Sequence, residues 1–131
     1  KIGSRFVASV ESYAHKAFKK DVLLAKEGDT QLTLKELAPV RLLKNKFYED
    51  INRLYTTTPS KEDLKNLLGK ARAKRGMFEG DLEEGELEIG QISGLIDTIA
   101  SVSDIVNTIL KEFDVCKSHI STINITTTNN Q

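Results

Sequence analysis

Apolar side chains recur every three or four positions over most of this chain, and strict alternation is rare, so a mainly α architecture is predicted. Residues 1–10 are the exception and read as extended, with Ile2, Phe6, Val7 and Val10 set among small residues. A helix is predicted over 11–26, burying Ala14, Ala17, Phe18, Val22 and Ala25, with Gly28 near its C-terminal cap. Residues 30–34 alternate and predict a short extended segment. Thr33-Leu34-Lys35-Glu36 matches a capping box, but Pro39 limits any helix it starts. Val40, Leu43, Phe47, Ile51, Leu54 and Tyr55 share one helical face. Ser60 then caps a helix that turns Leu64, Leu67, Leu68 and Ala71 inward. Glycines at 76, 80, 85 and 90 make 76–90 irregular. Ile92, Leu95, Ile96 and Ile99 predict a short helix. Ser101-Val102-Ser103-Asp104 opens a longer one, striped by Ile105, Val106, Ile109, Leu110 and Phe113.

Composition narrows the class. Apolar residues at 39% and charged residues at 29% are those of a soluble globular domain with its own core. No apolar run approaches the roughly 20 residues of a membrane helix. The single Cys116 cannot form an internal disulfide, and no secretory signal pattern opens the chain, so the cytoplasm is the expected location. The chain begins at Lys1 rather than Met, and we expect it to be the C-terminal part of a larger enzyme. Beyond Cys116 the Ser, Thr and Asn content predicts a frayed or disordered tail over 117–131.

The net charge of zero conceals a split. Residues 1–78 hold 17 Lys/Arg against 9 Asp/Glu, whereas 79–131 hold 2 against 10. The densest basic run is Lys70-Ala71-Arg72-Ala73-Lys74-Arg75. It lacks the interleaved aromatics or reading motif of a nucleic-acid site, so local neutralisation by the acidic half is the preferred reading. The acidic run Glu79, Asp81, Glu83, Glu84, Glu86 and Glu88 does not fit a calcium loop. Counting from Asp81, the sixth and twelfth positions hold Glu86 and Ile92 where Gly and Glu are needed.

Four smaller features bear on chemistry. The Gly3-Ser4 turn can present consecutive N–H groups to a phosphate, although an ordinary turn has the same pattern. Gly90 and Gly94 lie four apart, which fits close packing of a helix on a neighbouring backbone. Cys116 has no basic cluster to lower its pKa. Asn124-Ile125-Thr126 is a glycosylation sequon without a secretory context.

Ile2-Gly3-Ser4-Arg5-Phe6-Val7-Ala8-Ser9, followed by Glu11-Ser12-Tyr13-Ala14-His15, resembles the nitronate monooxygenase family, which includes the flavin-dependent enoyl-ACP reductases. Arg41-Leu42-Leu43-Lys44-Asn45-Lys46-Phe47 is similar to its Arg-x-x-Lys/Arg-Asn helix. Glu79-Gly80-Asp81-Leu82-Glu83-Glu84-Gly85 and Gly90-Gln91-Ile92-Ser93-Gly94-Leu95-Ile96 are similar to its glycine-rich signature. The resemblance spans about 2–114, in order.

It implies the C-terminal fragment of a (β/α)8 TIM-barrel flavoprotein. Residues 1–10 would be the end of the last strand and the phosphate-binding turn. Residues 11–88 would form a helical subdomain, and 89–116 the return segment and final barrel helix. FMN is the implied cofactor, with its phosphate at Gly3 and Ser4; loops after the last strands of such barrels often hold phosphate. Ser4 stands where the family usually has Thr, and Lys1 where Gln is common. The family's catalytic His precedes this segment, so His15 is expected to cap or face solvent and His119 to be incidental.

The implied reaction is oxidation of an alkyl nitronate with dioxygen, or reduction of an enoyl thioester with NAD(P)H. Expected partners are a small-molecule substrate and the missing N-terminal barrel, with no nucleic acid and no membrane, and a homo-oligomer is compatible. The fragment alone is expected to be inactive. The alternative is a stand-alone helical module that binds a protein or acidic polymer through residues 61–75.

Overall fold

The computed structural model describes residues 2–123. Helices α1 (Gly3–Val7) and α2 (Lys16–Leu24) lead into a hairpin of β1 (Thr30–Thr33) and β2 (Val40–Leu43). Then come α3 (Lys46–Tyr55), α4 (Lys61–Leu68), α5 (Arg72–Met77), a 3-10 turn (Gln91–Leu95) and the long α6 (Val102–Ser121). The expected mainly helical chain is present, with a small antiparallel sheet added.

That sheet sits between two cores. β1 and β2 pair antiparallel, Thr30 opposite Leu43 and Thr33 opposite Val40. On the other side of β2, Leu43 N–H donates to Leu87 O (3.0 Å) and Ile89 N–H to Arg41 O (3.1 Å), so residues 87–89 cover its edge. Successive strand residues point to opposite faces. Leu43 accordingly joins Ala8, Phe18, Val22, Leu87, Ile89 and Ile96, while Leu42 joins Leu34, Phe47, Ile51 and Leu64. Val40 and Leu43 therefore belong to a strand rather than to the predicted helix.

Asn45 sets that boundary. Its Oδ1 accepts from Tyr48 N–H at 3.0 Å and caps α3, while its Nδ2 donates to Leu82 O (2.8 Å) and Gly85 O (2.9 Å). Asn45→Ala is expected to lose about 2–3 kcal/mol, from one helix cap and two stranded carbonyls. Urea unfolding followed by circular dichroism measures it, and Asn45→Asp, which keeps only the cap, should fall in between.

Three further expectations change. Residues 3–7 form a helical turn, and extended pairing is confined to Ser9 beside Ala100, with Val10 N–H donating to Ala100 O. α2 starts at Lys16 instead of residue 11. Serine side chains compete for the backbone ahead of it, Ser9 Oγ accepting from Ser12 N–H and Ser12 Oγ from Ala14 N–H. The Thr33–Glu36 capping box starts no helix; Leu34 takes φ +51° in the hairpin loop, and Glu36 instead accepts from the Tyr55 hydroxyl.

The predicted helix over 61–71 divides at Gly69, whose φ of +66° stops α4, and Ala71 is exposed. The capping by Ser60 is present, with Asp63 completing the box. Ser101 caps α6, which passes Cys116 as regular helix to Ser121, so 117–121 are helical and not frayed. His119 is thus an exposed helical residue. Lys1 and residues 124–131, including the Asn124 sequon and the rest of the expected tail, lie outside the described residues. Among the described residues no helix is long and apolar enough to cross a membrane.

Candidate functional site

Gly3 and Ser4 open α1, so their N–H groups have no acceptor within that helix. A Cβ built at Gly3 would meet nothing within 4 Å, which leaves space in front of this backbone. The Ser4 hydroxyl oxygen accepts from Gly90 N–H at 2.9 Å, leaving its own proton available for a ligand. A Cβ at Gly90 would sit 2.7 Å from Ser4 Oγ, so a side chain there would push the Ser4 hydroxyl out of this contact.

Gly3, Ser4, Val7, Pro39, Val40, Arg41, Glu88, Ile89 and Gly90 line an open groove of about 380 Å³. Arg41 also lines an adjoining cleft of about 760 Å³ with Thr30, Gln91, Ile92, Gly94 and Leu95. Its guanidinium donates to Thr30 O and Oγ1, both at 3.1 Å, and the residue lines both spaces. Two backbone donors and a hydroxyl proton make a donor set that suits a phosphate group, with one cationic residue, Arg41, and one anionic residue, Glu88, among the groove's lining.

The flanking motif residues hold this turn in place. Arg5 donates to Ala8 O (3.2 Å) and Thr98 O (3.0 Å), and the Glu11 carboxylate accepts from Val102 N–H at 3.0 Å. His15 caps α2, its Nδ1 accepting from Ala17 N–H at 3.2 Å, as expected for a capping position. Gly94 packs on the Lys26–Glu27 backbone, where a Cβ would come within 3.0 Å of Lys26 C, as its spacing suggested. Sequence reasoning missed Arg41 as a groove residue and missed the Ser4–Gly90 contact, which joins positions far apart in the chain.

The basic run folds back onto the acidic run. Arg72 lies 4.3 Å from the centre of the Phe47 ring and donates to Leu67 O, Leu68 O and Glu84 O, closing the end of α4. Lys74 pairs with Glu79 at 3.1 Å and Arg75 with Asp81 at 2.5 Å, while Lys46 pairs with Glu84. The hydrogen bond from Glu84 N–H, then Arg75, hold the Asp81 carboxyl below its ordinary pKa. Glu86 is the opposite case: burial, and then Glu88, push its pKa up against the pull of Arg72. Arg72, Lys74 and Arg75 are thus engaged within the chain, whereas Lys61 and Lys70 of the same segment are exposed and form no ion pair among the described residues. Among the described residues no cluster of His, Cys, Asp or Glu could hold a metal ion.

A sequence profile of the nitronate monooxygenase family matches residues 1–112. The chain belongs to that family. FabK from Thermotoga maritima superimposes with a TM-score of 0.79 at 36% identity, covering 91% of this chain and 38% of that one. A mutant of the same protein gives 0.73 at 34% identity, covering 91% and 35%. This chain therefore spans little more than a third of the length of these solved relatives. No curated protein matches it significantly. The nitronate monooxygenase family is one of flavin-dependent oxidoreductases, and the chain corresponds to part of such an enzyme's fold.

Proposed function

We propose that this chain is the C-terminal part of an FMN-dependent oxidoreductase on a (β/α)8 barrel, with Gly3 and Ser4 anchoring the FMN phosphate. The match to the nitronate monooxygenase family over residues 1–112 carries the reading. The open backbone at Gly3 and the Ser4–Gly90 contact support the assignment of the turn. Bound FMN supplies two-electron redox chemistry, serving either oxidation of an alkyl nitronate with dioxygen or reduction of an enoyl thioester with NAD(P)H.

The residues present here bind and orient. The N–H groups of Gly3 and Ser4 and the Ser4 hydroxyl donate to the phosphate, and Arg41 offsets the Glu88 carboxylate at the groove wall. Gly90 keeps Ser4 in position through its N–H. A cytoplasmic location accords with the free Cys116. Because the catalytic histidine of the resemblance precedes this segment, the 131 residues alone are expected to show no FMN-dependent turnover of either substrate class above a no-protein control.

Sequencing the encoding DNA upstream of Lys1 tests the reading directly. It expects an in-frame continuation encoding alternating strands and helices, with a histidine at a strand end. A stop codon followed by a start just before Lys1, or turnover by this chain alone, would overturn it.

A further inference from the structure

We propose that Glu86 is an acid-sensitive latch on residues 85–90: a proton on its carboxyl secures this segment against the body of the chain, and ionisation loosens it. Lys19 and Glu86 are the buried charged side chains among the described residues, and the fold treats them differently. Lys19 Nζ donates to Ser9 O at 2.5 Å, so its burial is compensated. Glu86 is 8% exposed, and its carboxyl has no hydrogen-bond partner among the described residues. A carboxyl withdrawn from water without donors favours its neutral form.

The backbone holds Glu86 in that position. Gly85 N–H donates to Asp81 O and Glu86 N–H to Arg72 O, while Asn45 Nδ2 holds Gly85 O and Leu43 N–H holds Leu87 O. Gly85 also lies directly against the Gly76 backbone of α5. Turning residue 86 out toward water would break several of these bonds together. The burial comes entirely from contacts within the chain and needs nothing that packs on it from outside.

The neighbouring charges do not offset it. Glu88, on the same segment, repels the carboxylate, and Arg72 from α5 attracts it. All three guanidinium nitrogens of Arg72 are committed elsewhere, to Leu67 O, Leu68 O and Glu84 O, with Glu84 Oε2 at 3.6 Å and the Phe47 ring beneath. Burial and Glu88 outweigh this pull. The same segment leads to the candidate site: Ile89 N–H donates to Arg41 O and Gly90 N–H to Ser4 Oγ. Loosening at Glu86 therefore reaches the backbone that holds Ser4. None of these contacts involves a flavin, so the latch can fail while the flavin reading stands, and the reverse.

Below the ordinary glutamate value of 4.5 the carboxyl is protonated in the folded and unfolded chain alike. Above it the folded chain keeps the proton longer, so stability falls as pH rises, until the folded carboxyl has ionised too. Urea unfolding of the full chain and of Glu86→Gln is compared from about pH 4 to about pH 8. The midpoint of the variant should gain on that of the wild type as pH rises and then level off. Glu88→Gln should bring that gain to lower pH by removing the repulsion. A side-chain carboxyl ¹³C titration of the wild type needs no variant to fold, and should place Glu86 above the exposed glutamates. Amide hydrogen exchange at the upper pH should be faster in the wild type than in Glu86→Gln at Ile89 and Gly90 in particular. A midpoint difference that does not change with pH, a wild type that gains instead, or an ordinary titration of Glu86 would overturn the proposal. So would an exchange difference spread evenly over the chain.

Discussion

Replacing Gly85 with alanine is expected to destabilise the chain by about 3–4 kcal/mol, a large part of a small domain's stability. A Cβ at this position would lie 2.2 Å from Gly76 Cα, 2.3 Å from Asp81 O and 2.6 Å from Gly76 N. All three are backbone atoms, so no rotamer change relieves the overlap. The segments in contact are anchored on both sides. Glu86 N–H donates to Arg72 O at 3.1 Å, and Asn45 holds Gly85 O at 2.9 Å. Leu87, two residues on, is buried in the first core and bonded to β2. Moving residue 85 outward would therefore pull on α5, the α3 cap and the sheet edge together. Gly28→Ala is the control: φ is +88° there but nothing lies within 4 Å of the added Cβ, so it should lose only about 1 kcal/mol. Urea unfolding of both variants gives the comparison; Gly85 has no left-handed φ, so a loss no larger than that of Gly28→Ala would mean that the backbone shifts to relieve the overlap.

The same contact explains what the sequence could and could not convey. Ser60, Ser101 and His15 act within a few residues of themselves, and the helix starts at Ser60 and Ser101 were legible because capping is local. Val40 and Leu43 were not, since their spacing to Phe47 and Ile51 continues a helical face. What makes them a strand is pairing with 30–33 on one edge and 87–89 on the other, and no local pattern carries the second edge. Gly85 and Gly76 read only as irregular chain until their backbones are seen to touch. At the candidate site Gly3 and Ser4 were legible as a turn able to meet an anion, but their helical conformation was not. The N–H that holds the Ser4 hydroxyl comes from Gly90, 86 residues further along the chain. The stripe on α6 was legible as a stripe, whereas its exposure was not, because periodicity tells which side chains share a face and not what covers them.

Gly3→Asp is expected to reduce FMN affinity of the intact enzyme about a hundredfold while leaving the fold unchanged. The two halves of this expectation rest on different observations. The space beyond Gly3 is empty to 4 Å and its φ is not positive, so a side chain can be added without strain. That same space is where the N–H groups of Gly3 and Ser4 would meet the phosphate, and a carboxylate there would oppose about two negative charges at short range. Repulsion of this kind, in a site partly shielded from water, is worth a few kcal/mol, and each 1.4 kcal/mol is about tenfold in affinity. Gly3→Asn separates charge from bulk, since it has nearly the same size and no charge. Flavin fluorescence titration at low and high salt provides the readout, with thermal unfolding of each variant to verify the fold. Asp should bind far more weakly than Asn, and the gap should narrow as salt screens it. Equal affinities for Asp and wild type would remove Gly3 from the phosphate site, whereas equal losses for Asp and Asn would mean that the turn excludes any side chain and that charge plays no part.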